Sequence, residues 1–205
     1  MNLVQETRVF SDALGRLPLP AGVSHVYNPL AYMRRAHERY LERFVPGTYE
    51  DVIAGEYTGA PAPRPYLILG MNPGPWGMVQ TGVPFGDVAT ARSLLLYDTP
   101  PEPELERVKL HPNRPVLGLA SARREASGER LWGGLSQVWA GGSVDVLRDA
   151  FAMNYCPLAY FAGDEQGTNV TPDAFVKSGP YRDREYAEMA QSTMKAAGVL
   201  PGRFS

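Results

Sequence analysis

The stretch LILGMNPGPWGMVQTGVPFG, Leu67 to Gly86, decides how this 205-residue chain is to be read. With Tyr66 it opens on an apolar run, YLILG, whose apolar residues are consecutive. That pattern predicts a strand covered on both faces, as in a parallel sheet. Gly70, Gly74 and Gly77 follow, and glycine lets backbone approach a flat ligand closely. Pro73 and Pro75 stiffen the same turn. The glycine spacing excludes the dinucleotide fingerprint, and no Lys-Ser/Thr pair follows to complete a phosphate-binding P-loop. Loops at the carboxyl ends of parallel strands line the crevice where such sheets bind ligands. A tight strand-to-helix turn without a ligand explains this loop, taken alone, equally well.

A second loop of the same type tips the balance toward a site. AFAMNY predicts a second strand, with Asn154 at its end and Pro157 just beyond, as Asn72 follows the first. An amide side chain offers a carbonyl acceptor and an NH2 donor, which suits the amide edge of a pyrimidine such as uracil. Phe85 offers a face on which a base can stack. A core-packed Phe85 and a loop-capping Asn154 form the alternative.

Around these two strands the chain predicts an α/β protein of a single domain, residues 1–205, with a mostly parallel sheet. Residues 1–20 predict a short helix closed by LPLP. Val26 to Val45 has Leu30, Met33, Tyr40, Leu41 and Phe44 at roughly helical spacing, with Asn28 as N-cap and Pro29 at the first position. Arg34, Arg35, His37, Arg39 and Arg43 fall mostly on its other face, read as a solvated basic face in preference to a phosphate-contacting one. PAPRP (Pro61 to Pro65) precedes the first strand. Ala89 to Leu96 predicts a helix, Tyr97 to Glu129 an excursion over the surface, and LWGGLSQVWAG a helix with Trp132 and Trp139 in the core. Val144 to Phe151 predicts a short helix, the stretch from Asn154 to Pro172 a loop, and Tyr181 to Gly198 a charged helix.

Composition narrows the function. Gly and Pro total 21 + 19 = 40 residues, loop-rich but below the level of disorder. A net charge of −2 argues against indiscriminate polyanion binding, so any nucleic-acid contact needs a local patch. Arg123, Arg124 and Arg130 are candidates for such contacts, with a solvated loop as the favoured reading. One cysteine, Cys156, excludes an intramolecular disulfide framework, a cysteine-ligated zinc site and an iron–sulfur cluster, and points to core packing. The amino-terminal residues carry no apolar signal core, and no apolar run is long enough to span a bilayer, so a soluble cytoplasmic protein is the simplest expectation.

GMNPGPWGMVQTGVPFG resembles the first active-site motif of the single-strand-selective monofunctional uracil-DNA glycosylases, within the uracil-DNA glycosylase superfamily. VYNPLAY, HPNRPVLGL (His111 to Leu119), LWGG, NYCPL and GTNVTP support the resemblance in order, over roughly Val26 to Pro172. Trp76 departs from it, standing where the family has phenylalanine. The resemblance implies a three-layer α/β/α sandwich, and a monomer that needs no metal or cofactor. It implies hydrolysis of the N-glycosidic bond of uracil, and of oxidised uracil derivatives, in single- or double-stranded DNA, the step that initiates base excision repair. Asn72 would position the water that attacks C1′. The Met71 backbone, Gly74 and Pro75 would line the base pocket, Phe85 would stack on the flipped base, and Asn154 would bind its amide edge. Gly167, Thr168, Asn169 and Thr171 would lie near the wedge that props DNA open.

The family's later His-Pro-Ser-Pro loop, whose histidine faces the uracil O2, has no counterpart here. The three histidines are His25, His37 and His111, none of which follows NYCPL, and His111 reads as a surface residue. The join at Val176 to Pro180 is where that block belongs, so the resemblance implies an internal deletion of one or two strand–helix units, each on the order of 30 residues. A degenerate, non-catalytic DNA or uracil binder is therefore one alternative. A module for a free nucleobase or nucleotide is another.

Overall fold

The computed structural model describes residues 3–17, 19–20, 22–44, 66–95, 101–139, 146–147 and 149–172. Along the chain these form α1 (Leu3–Leu14), β1 (His25–Tyr27), α2 (Pro29–Tyr32), α3 (Arg34–Glu42), β2 (Tyr66–Gly70), α4 (Met78–Thr81) and α5 (Val88–Leu95). A 3-10 turn at Gly118–Ala120, α6 (Ala126–Val138), β3 (Ala150–Asn154), β4 (Ala159–Phe161) and β5 (Asn169–Val170) follow. The fold is α/β. PAPRP, the 176–180 join and the Tyr181 to Gly198 stretch lie outside the described residues.

The two strands read from sequence pair in parallel, from Tyr66 opposite Ala150 to Gly70 opposite Asn154. A second sheet, β1-β4-β5, is antiparallel throughout. Among the described residues, then, one pairing is parallel and two are antiparallel, a more mixed arrangement than expected. The stretch expected as one long loop contains β4 and β5, which pair antiparallel across the turn at residues 162–168. Cover on both faces holds for β3, which is buried throughout, but β2 exposes Tyr66 (54%) and Leu69 (48%).

The single helix expected over Val26 to Val45 is three elements. Val26 and Tyr27 pair with Tyr160 and Ala159 in β4. The helix then breaks at Met33, whose backbone (φ −104°, ψ 29°) leaves the helical region. Asn28 does precede Pro29 at the N-cap, but its amide donates to the Ser11 carbonyl (3.1 Å), tying α2 to α1 instead of capping it. Tyr40 fastens α3 to the parallel pair, its hydroxyl donating to the Ala152 carbonyl (2.7 Å). Its ring packs with Phe44 and Phe151. Cys156 and Trp132 are buried in the core, as expected.

His37 does not belong to the basic face. It points inward at 6% exposure, and its Nδ1–H donates to the Gly82 carbonyl at 2.7 Å. Arg8–Glu38, Arg34–Asp12 and Arg39–Glu42 ion pairs occupy the surface around it, where such pairs contribute little. Burial lowers the His37 pKa from 6.5 to about 4. The folded chain thus holds it neutral, while an unfolded chain takes up a proton below about 6.5. Stability is lost as pH falls through that window, by about 3 kcal/mol in full. Between pH 7 and pH 4.5 the melting temperature of wild type should fall further than that of His37→Gln. Parallel falls would contradict this.

Candidate functional site

Parallel register brings the two asparagine loops together. Gly70 and Asn154 are the last residues of β2 and β3 and lie opposite one another. The ladder continues past the strand ends, Tyr155 N–H donating to Gly70 O (2.8 Å) and Cys156 N–H to Met71 O (2.9 Å). Both loops therefore leave the same carboxyl edge, zipped side by side. Between them is a cavity of about 210 Å³, walled by Met71, Asn72, Gly74, Phe85, Glu125 and Asn154, with Asn169 completing it. That is below the usual range for drug-sized ligands, and suits one small ring.

Each wall residue is held differently. Asn72 is only partly buried, and its amide makes a long 3.5 Å contact with the carbonyl of Pro73, leaving it available to a ligand. Asn154 is buried at 5% exposure, its Nδ2 donating to Met78 Sδ at 3.0 Å. Phe85 adopts φ 55°, a left-handed conformation that is costly for an aromatic residue and clusters at ligand sites. Gly70 has no side chain where one would collide: a Cβ there would overlap Asn154 Oδ1 and lie 2.6 Å from Phe85 Cζ. Pro73 and Pro75 complete the rim, as the stiff turn requires.

The sequence reading misses Glu125. It stands at the start of α6, and its carboxylate accepts from the Trp76 N–H (3.3 Å) and the Ser127 hydroxyl (3.0 Å). A Cβ on Gly74 would overlap this carboxylate, so Gly74 is glycine to admit Glu125. No local pattern announces it, because the contact joins residues distant in sequence.

The GTNVTP stretch contributes one residue to the cavity wall. Asn169, in β5, faces the cavity, and its Oδ1 is buried without a hydrogen-bond partner among the described residues. Gly167 is buried, while Thr168 is exposed and bonded to Asp164 through both its N–H and its hydroxyl. Thr171 is half-buried and outside the cavity wall.

His111 is buried at 5% exposure and is not the surface residue expected. Its Nδ1 accepts the Asn113 N–H (3.1 Å), so Nε2 carries the proton and donates to the Asp164 carbonyl (2.9 Å). Asn113 Nδ2 and Arg114 Nε donate to the Glu165 and Gly167 carbonyls (2.7 and 2.8 Å). The HPNR loop thus clamps the turn that presents Asn169. None of the three histidines lines the cavity: His25 packs edge-on against His111, ring centroids 5.0 Å apart, and His37 is spent on Gly82.

Over 170 residues the chain is 38% identical to the single-strand selective monofunctional uracil DNA glycosylase of Mus musculus, covering 83% of this chain and 53% of that one. The Bos taurus protein of the same name is 38% identical over 173 residues, covering 82% and 54%. The chain spans about half the length of the curated relatives it matches. The crystal structure of wild-type Pedobacter heparinus SMUG2 superposes with a TM-score of 0.53 at 17% identity, covering 98% of this chain and 73% of that one, a likeness of fold alone. No protein-family model matches the chain.

Proposed function

The chain belongs to the family of single-strand-selective monofunctional uracil-DNA glycosylases, and from that premise we propose that it hydrolyses the N-glycosidic bond of uracil in single-stranded DNA. The observation that carries this is the shared cavity: parallel register places Asn72, Asn154 and Phe85 around one base-sized space. In this reading the target base leaves the stack to enter that space, because its glycosidic carbon is unreachable within a helix.

Each wall residue then has a task. The Asn154 amide pairs with the amide edge of uracil, and Phe85 stacks on its face. The Met71 backbone, Gly74 and Pro75 shape the floor. Asn72 orients a water toward C1′. An amide takes no proton at neutral pH, so Asn72 cannot act as a general base. The water oxygen bonds to C1′ as the C1′–N1 bond breaks, uracil leaves with the electron pair, and the water's proton passes to solvent. Stabilising that anion falls to the dipoles of the pocket. Double-stranded DNA, oxidised uracils, monomeric action and a role for Gly167, Thr168 and Thr171 beside the DNA are further parts of the proposal. So is a three-layer, single-domain sandwich with the parallel pair at its centre.

A second reading has its own support. No imidazole lines the cavity, and loss of one oxyanion-type donor slows such reactions by roughly 100- to 1000-fold. A protein that binds uracil DNA without cleaving it would look the same. Product analysis separates the two. Incubation with a uracil-containing single-stranded oligonucleotide should yield free uracil and an abasic strand that breaks only on alkali treatment. Retention of the strand with no uracil released would favour the binder. Competition by free uracil but not by the oligonucleotide would favour a free-base module.

A further inference from the structure

We propose that Arg123, Trp76 and Arg114 form a phosphate-binding lip on the cavity, which takes the backbone of a DNA strand beside the nucleotide whose base enters; this rests on the glycosylase reading above. Trp76 directly follows the rim residue Pro75, and its N–H is held by the wall residue Glu125. That bond holds the Trp76 main chain beside the cavity rim. The Arg123 guanidinium lies over the Trp76 indole, 4.2 Å from the ring centroid, while that of Arg114 sits between the indole and the Phe161 ring, 5.9 and 5.8 Å from the two centroids. Both are within cation–π reach. Arg114 is anchored further by the Gly167 carbonyl.

The neighbouring arginine makes the case. Arg124 is ion-paired with Asp87 (3.4 Å) and Glu129 (3.1 Å), so its charge is neutralised locally. Among the described residues no carboxylate pairs with Arg123 or Arg114, and Arg123 is exposed. Glu125, the nearest acid in sequence, has both oxygens engaged by Trp76 and Ser127. Stacking on an indole orients a guanidinium without cancelling its charge, and leaves its N–H edge free. A pre-positioned planar fork of that kind matches a phosphodiester. In a chain of net charge −2, it is the local patch that DNA binding requires. Indole is also the best aromatic partner for a cation.

The test is fluorescence anisotropy with a labelled single-stranded oligothymidylate, read against salt for wild type, Arg123→Gln and Arg124→Gln. Arg123→Gln should weaken binding by about three- to tenfold at low salt and make the log–log salt slope shallower by about 0.7. Arg124→Gln should leave the slope unchanged. Equal affinity and slope for wild type and Arg123→Gln, with matching melts, would overturn the lip. Uracil release measured alongside separates the two readings: release with unchanged binding removes the lip alone, and lip-dependent binding without release removes the glycosylase alone. A wild-type protein that does not bind the strand removes both.

Discussion

Gly70→Ala should slow uracil release by about 100-fold while leaving a cooperatively folded protein. Gly70 ends β2 directly opposite Asn154, and the new Cβ would overlap Asn154 Oδ1 and press on Phe85 Cζ from 2.6 Å. Both atoms are at the far ends of side chains, so they can swing aside without breaking the fold. They are also the two proposed base contacts, and a displacement of about 1 Å in a reacting geometry costs on the order of 100-fold. Single-turnover rates beside thermal melts check this, with a melting temperature within a few degrees of wild type. A variant that cleaves at the wild-type rate would detach Asn154 and Phe85 from the reaction.

Gly128→Ala should fail in the opposite way, through stability. In an exposed helix, alanine for glycine gains about 1 kcal/mol. Gly128, however, packs α6 against the loop that carries Phe85. Its Cβ would overlap the Phe85 carbonyl oxygen and lie 3.0 Å from the carbonyl carbon. These are backbone atoms and cannot rotate away, and Phe85 already holds a left-handed conformation. Overpacking of this kind costs about 1–3 kcal/mol. A net loss of up to about 2 kcal/mol should lower the melting temperature by as much as about 4–8 °C, with activity falling as Phe85 moves. An unchanged or higher melting temperature would contradict this packing.

The same contact shows where sequence patterns lose their hold. YLILG and AFAMNY were legible because a run of apolar residues ending in glycine or asparagine identifies a parallel strand and its loop. Asn72, Asn154 and Phe85 followed from that. Strands of two or three residues, such as β1, β4 and β5, are too short to show a period, and β1 was absorbed into a helical pattern. His37 and His111 lie in polar surroundings in sequence, yet tertiary contacts with Gly82 and the Asp164 carbonyl bury them. Glu125 and Asn169 reach the cavity only because packing carries distant segments there. The charge of Arg123 could be read from sequence, but not that Arg124 would be neutralised and Arg123 left stacked on Trp76.

The most direct test is single-turnover release of uracil from a single-stranded oligonucleotide, with folded protein in excess and wild type measured beside Asn72→Ala. The expected result is release by wild type, slowed by about 100-fold or more in Asn72→Ala, although no imidazole lines the cavity. A cooperatively folded wild type that leaves the oligonucleotide intact over hours, or an Asn72→Ala variant that works as fast, would contradict a cavity that removes uracil through an asparagine-held water.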